Sequence, residues 1–182
     1  LIGIDLMADV LKSFIKELPK TDKFHEVAQE IPLIKKLIET GYTGRKGKGG
    51  FFRINKEGGV KILEALNLET GDYSPSKKID VKSDKVDLKK LINRDDKYGK
   101  YAWSVISKII KYASSLVPEI TDEFNDIDEA MRLGFNWAKG PFEMLDEIGV
   151  KNFFDKADDI KGNNFLENLS KTKDEDLSLI HI

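Results

Sequence analysis

The stretch IDEAMRLGFNWAKGPFEMLDEIG, residues 127–149, decides the fold. It reads as two short helices joined by a Gly-Pro turn. Ile127, Ala130, Met131 and Leu133 carry the first helix, with Asn125 as the candidate N-cap and Gly134 near its end. Pro141 opens the second helix, where its fixed φ is already helical and its missing N–H would have had no partner. Gly149 closes that helix. Phe135, Trp137 and Phe142 are expected to give the corner an aromatic core, and Glu143 falls in a first turn, where the helix dipole favours a carboxylate. Neither Glu143 nor Asp146 has a histidine or a set of metal ligands close in sequence, so no activated acid–base pair is expected here.

Working outward, residues 98–117 form a strongly helical pattern, with Ala102, Val105, Ile106, Ile109, Ile110, Ala113 and Leu116 on one broad stripe. At the front, Leu6, Met7, Val10, Leu11, Phe14, Ile15 and Leu18 recur at helical spacing and predict a buried face, ended by Pro19. Pro32 starts a further helix through Leu33, Ile34, Leu37 and Ile38, and Gly41 supplies its left-handed cap. GYTGRKGKGG (41–50) is a loop, and FFRI after it is extended. VKILEAL (60–66) predicts a short helix, as does VDLKKLINR (86–94). NLETGDYSPSKKIDVKSDK between them has the composition of an inter-domain connector. A faint internal echo links LIGIDLMADVLKSF at the start to LDEIGVKNFFDKA at 145–157, each taking a Gly-aliphatic step into a helix.

Composition narrows the function classes. Apolar residues make up 40% and charged residues 34%, enough for a core and not the balance of a disordered chain. The formal net charge of −2 gives no global field for nucleic acid, and the Lys77–Lys78 and Lys89–Lys90 clusters are offset by nearby aspartates. No apolar run approaches the roughly 20 residues that span a bilayer. The absence of cysteine removes disulfides and thiolate chemistry, and it suits a reducing, cytoplasmic location. No metal site is expected. The opening LIGIDLM lacks an initiator Met and a signal-peptide n-region, so both ends are expected to be cut, with 177–182 a non-native or truncated tail.

As a string, residues 127–149 resemble the C-terminal helical domain of the 3-hydroxyacyl-CoA dehydrogenases. The resemblance is carried by Ile127, Asp128, Ala130, Met131, Gly134, Gly140, Pro141, Phe142, Glu143, Asp146, Ile148 and Gly149. GYTGRKGKGGFF (41–52) is similar to the signature that closes this domain. A closing signature followed by a fresh helix and a second corner implies a mainly α chain with two such domains in tandem, both incomplete. The expected layout is the end of a first domain at 1–55, a connector at 56–97 and a second domain at 98–176. That order resembles the multifunctional fatty-acid oxidation enzymes, in which an enoyl-CoA hydratase domain is fused to the dehydrogenase.

The resemblance implies an NAD-dependent oxidation of a 3-hydroxyacyl-CoA, with NAD and the catalytic His–Glu pair held by a Rossmann domain outside these residues. No G-x-G-x-x-G stands here in a strand–turn–helix context. His25 and His181 do not supply the base: Glu26 is adjacent to His25 and on a helix would not face it, and His181 lies in the tail. Trp103 and Ser104 stand where the family places a substrate-holding Asn, so no catalytic residue is expected in this chain. Arg45, Lys46 and Lys48 are the candidate contacts to the CoA phosphates of an acyl-CoA substrate. The competing reading is a non-catalytic helical module for acyl-CoA binding or assembly.

Overall fold

The structure is a computed structural model that describes residues 3–77 and 87–172. It is mainly helical, and it divides into two compact units, residues 1–81 and 82–182. The expected tail at 177–182, with His181, lies outside the described residues, as does most of the connector beyond Lys77.

The second unit holds helices α4 (Leu88–Ile92), α5 (Lys97–Ser115), α6 (Phe124–Phe135), α7 (Pro141–Ile148), α8 (Val150–Lys156) and α9 (Asn164–Leu169), here numbered after three helices of the first unit. Its core is continuous: Ile92, Ile110, Ala113, Val117, Phe142, Leu145, Ile148, Val150, Phe153, Phe165, Leu166 and Leu169 are all buried. The ends of its helices are closed by side chains. Asp87 accepts from the Lys90 N–H to start α4, and Asp96 accepts from the Tyr98 and Gly99 N–H groups to start α5. Asn163 caps α9 while its Nδ2 donates to the Lys111 carbonyl at 2.9 Å, tying α9 to α5. The Glu147 carboxylate accepts from the Leu88 N–H at 3.1 Å, tying α7 to the first turn of α4.

The corner differs from expectation in its aromatic content. Phe142 is buried, but Phe135 is 70% exposed and Trp137 only half-buried. The rings that meet Phe142 come from elsewhere: Phe124 at 5.3 Å and Phe165 at 5.2 Å between centroids, themselves 5.9 Å apart. Phe135 faces outward because α6 ends there; the chain turns through Asn136 at φ 56° rather than through Gly134, and the Trp137 N–H reaches back to the Met131 carbonyl. The cap expected at Asn125 is at Glu123 instead, one residue before the helix.

The first unit contains α1 (Ile4–Glu17), α2 (Phe24–Val27), α3 (Pro32–Glu39) and an antiparallel sheet of β1 (Phe52–Asn55), β2 (Ile62–Leu66) and β3 (Tyr73–Pro75), in that order. Pro19, Pro32 and Gly41 punctuate the helices as expected. The helix expected at 60–66 is strand β2. A short apolar run has no decisive period of its own, and this one pairs on both sides, with Arg53 opposite Glu64 and Leu66 opposite Tyr73. The register places Phe52, Ile54, Leu63 and Ala65 on one face, and Arg53, Asn55, Glu64, Leu66 and Tyr73 on the other. Phe52, Ile54 and Leu63 are exposed, whereas Leu66 and Glu64 are buried. The stripe on α1 is formed, but the helix has no buried residue, and Leu6, Met7 and Phe14 stay half or more exposed. Periodicity gave the helix correctly and the burial incorrectly, because spacing says which side chains share a face and not what covers it.

Two outcomes follow from this packing. Phe142→Ala removes a fully enclosed ring from the aromatic triad and is expected to destabilise the second unit by about 3–5 kcal/mol in denaturant unfolding. The Asp96 carboxyl sits below its usual range, held there by the Gly99 N–H and then by Arg94. Its contribution is therefore present above the ordinary carboxylate pKa of about 4 and is lost as pH falls through the lower folded value. Asp96→Asn should flatten that acid limb in a Tm-against-pH series, and an unchanged limb would refute the assignment.

Candidate functional site

Two places concentrate the residues that the sequence singled out: the basic loop of the first unit and the helical corner of the second.

The loop begins where α3 ends. Gly41 takes φ 82°, and the Tyr42 N–H returns to the Leu37 carbonyl at 2.8 Å. The chain then folds on itself as a closed hairpin, with Gly44 bridged to Gly49 and the Lys48 N–H on the Gly41 carbonyl at 2.9 Å. The Gly47 N–H donates to the Gly44 carbonyl at 3.0 Å, so Arg45 and Lys46 occupy the two central places of a tight turn. A Cβ at Gly47 would collide with the Gly41 carbonyl, so glycine is required there. Arg45 and Lys46 are exposed at the tip. Lys48 is placed differently: its Nζ donates to the Thr40 carbonyl at 3.1 Å and stands 5.9 Å from the Tyr42 ring centroid.

Beside the loop lies a polar cluster on the inner face of the sheet. Arg53 donates from Nε to Glu64 at 2.7 Å, and Asn55 donates to the other Glu64 oxygen at 3.0 Å. Those two bonds, Asn55 first, hold the Glu64 carboxyl below its ordinary range. The Arg53 guanidinium stacks over Tyr73 at 4.2 Å, and Tyr73 stacks on Tyr42 at 5.5 Å. Burial pushes the Tyr73 phenol up, and its hydroxyl donates to the Gly50 carbonyl. An open groove of about 430 Å³ runs past these residues, with Leu33, Lys36 and Leu37 of α3 on its other side. Because Arg53 is matched by Glu64, the groove itself presents little net charge.

The corner is built around one carboxylate. Asp128 of α6 is 3% exposed, and its oxygens accept from the Phe142 N–H at 2.8 Å and the Glu143 N–H at 2.9 Å. These are the second and third N–H groups of α7, which a helix start leaves without partners. Gly140, the residue at the N-cap position, has no side chain to satisfy them, so Asp128 does so from the neighbouring helix. The Gly140 backbone presses against Asp128 so closely that any Cβ would overlap the carboxylate. Glu143 completes the arrangement by accepting from the Gly140 N–H at 2.8 Å and from Arg132 at 2.9 Å. Burial pushes the Asp128 carboxyl up, while its two N–H bonds pull the other way. Lys139 pairs with Glu147 on the outside of the corner.

The Asp128 and Glu143 oxygens are occupied by backbone donors, and no group of three or more potential metal ligands stands among the described residues. Trp103 packs on Phe153 at 5.5 Å beneath Lys156, and Ser104 is exposed. His25 is engaged locally, its Nε2 3.0 Å from the Pro19 carbonyl. Asp128 is the residue whose role the sequence did not disclose, since its partners lie 14 and 15 positions away.

The residues present do not fit a dinucleotide. The glycine-rich loop follows a helix and precedes a strand, the reverse of the order that aims a helix N-terminus at a pyrophosphate. The N–H groups of Gly44, Gly47 and Gly50 are moreover spent on carbonyls of the loop and of Phe52.

Asp128→Ala should expose two unpaired donors at the start of α7 and cost about 1–3 kcal/mol. Gly140→Ala should cost at least as much, by forcing the corner apart. Amide exchange at Phe142 and Glu143 would locate either effect, and protection unchanged from wild type would refute the capping role.

Comparison with known proteins agrees with the corner. The family model for the 3-hydroxyacyl-CoA dehydrogenase C-terminal domain matches residues 99–165. A protein of Rickettsia felis bearing the name fatty acid oxidation complex trifunctional enzyme is 40% identical over 145 residues, 80% of this chain and 20% of the relative. Its counterpart in Rickettsia prowazekii is 40% identical over 152 residues, 84% of this chain and 21% of the relative. A Bacillus subtilis protein named as a 3-hydroxyacyl-CoA dehydrogenase is 31% identical over 166 residues, covering 87% of this chain and 20% of the relative. The chain thus spans about a fifth of the length of these relatives. No solved structure gives a significant match. The segment that matches the model of the 3-hydroxyacyl-CoA dehydrogenase C-terminal domain, residues 99–165, is thus the one in which Asp128, Gly140, Pro141 and Glu143 join in one capping arrangement.

Proposed function

We propose that the chain is part of an NAD-dependent 3-hydroxyacyl-CoA dehydrogenase of fatty-acid oxidation, to which it contributes helical scaffold rather than catalytic groups. The observation that carries this reading is the corner of residues 127–149, seated in a segment that matches the family's C-terminal domain. In the whole protein the reaction takes a 3-hydroxyacyl-CoA to the 3-ketone, with NAD receiving the hydride. NAD and the acid–base pair are assigned to a Rossmann domain, a partner of these residues within one polypeptide. An enoyl-CoA hydratase domain of the same polypeptide is the further proposed partner. A chain of 182 residues without cysteine suits the reducing cytoplasm.

The tandem arrangement belongs to the same proposal: residues 1–55 as the end of a first helical domain, 56–97 as a connector and 98–176 as a second domain. Two structural details support it. The chain separates into units near the middle of the connector, and Gly3 and Gly149, the two echoing glycines, both stand immediately before a helix.

Within the first unit, the basic loop that carries Arg45, Lys46 and Lys48 is proposed to face the phosphates of an acyl-CoA. Calorimetric titration of the chain with acetoacetyl-CoA tests this, and replacing all three residues by alanine should weaken binding about tenfold or more. Unchanged affinity in a folded variant would rule the contact out. The chain alone should show no acetoacetyl-CoA-dependent oxidation of NADH, and turnover would overturn the assignment of the chemistry to another domain.

A further inference from the structure

The three basic residues of the loop are not equivalent, and the difference lies in what each ammonium or guanidinium already holds. Lys48 folds back. Its Nζ occupies the Thr40 carbonyl at the C-terminal end of α3, where the helix dipole favours a cation, and its stem runs alongside Gly41. Its own backbone N–H closes the hairpin on the Gly41 carbonyl. Arg45 and Lys46 occupy the turn between Gly44 and Gly47, where both are exposed, and no hydrogen bond or ion pair engages either side chain among the described residues. The N–H groups of Gly44 and Gly47, which flank them, are committed to carbonyls within the loop.

We infer a division of labour, resting on the reading of this loop as a CoA-phosphate contact: Arg45 and Lys46 bind the phosphate, and Lys48 is a positioning residue that anchors the hairpin to α3 without touching the ligand. Arginine and lysine side by side at a tight turn suit a terminal phosphate monoester, one offering paired N–H donors and the other a mobile charge. A rigid base keeps the two from spreading apart. The C-terminal carbonyl of α3 supplies it through Lys48.

The experiment uses coenzyme A as the probe, with calorimetry for affinity and amide exchange at Gly44, Gly47 and Lys48 for the hairpin. The Arg45→Ala/Lys46→Ala pair should weaken CoA about tenfold or more while leaving exchange at the hairpin as in wild type. Lys48→Met, which keeps the stem and loses the charge, should raise hairpin exchange and weaken CoA by a smaller factor. Lys48→Arg should restore both, because a guanidinium also reaches the α3 carbonyl. Loss of affinity in Lys48→Met with exchange unchanged would make Lys48 a direct contact and overturn the inference. Affinity unaffected in the Arg45/Lys46 pair would overturn it as well. A wild-type chain that binds no CoA would instead remove the underlying reading of the loop, and the division of labour with it.

Discussion

The carboxylate of Asp128 is the interaction on which the second unit depends. An α-helix that begins at a proline needs partners for its next N–H groups, and the residue before Pro141 is a glycine with nothing to offer. By reaching across from α6, Asp128 satisfies the start of α7 and at the same time fixes the angle between the two helices. That angle presents Phe142 to Phe124 and Phe165, and Leu145 and Ile148 to the rest of the core. Glycine at 140 is the steric condition for the approach, and Glu143 with Arg132 closes the outer side. Asp128, Gly140, Pro141, Phe142 and Glu143, five of the residues that carry the family resemblance, are thus joined by one bond geometry.

The polar groups of the corner are engaged within the fold, and the same holds for several groups around it. Asp128 accepts from two backbone N–H groups, Glu143 accepts from the Gly140 N–H and from Arg132, Trp103 packs on Phe153, and the Gly44 and Gly47 N–H groups close the glycine-rich loop. The two units also differ in how they are held. Among the described residues the second has a dozen buried apolar side chains in one cluster, whereas the first buries Leu37 and Leu66 beside the polar cluster of Arg53, Asn55, Glu64 and Tyr73.

What was legible in the sequence was local. Proline and glycine at 19, 32, 41, 141 and 149 marked helix limits where they fell, because their backbone restrictions act without reference to the rest of the chain. The helix over 98–117 declared itself through a long apolar stripe. What was illegible depended on distant partners. VKILEAL contains good helix formers and is a strand because Arg53 and Tyr73 line up beside it. Phe135 and Phe142 look alike as letters, yet only one meets Phe124 and Phe165. In the loop, three cations lie close together in sequence, and only the fold shows that Lys48 turns back onto Thr40.

The sheet of the first unit, polar on its inner face and apolar on its outer one, has a consequence for how its strands find their alignment. In most sheets a one-residue slip is penalised because it carries greasy side chains into water. Here Phe52, Ile54 and Leu63 are in water already, so that penalty is weak. A slip would instead part Arg53 from Glu64 and Asn55 from the same carboxylate, leaving a charge enclosed without its counterion. Strand alignment in this hairpin is therefore proofread by an ion pair, and fidelity of pairing should follow ionic strength and acidity more closely than it follows hydrophobicity.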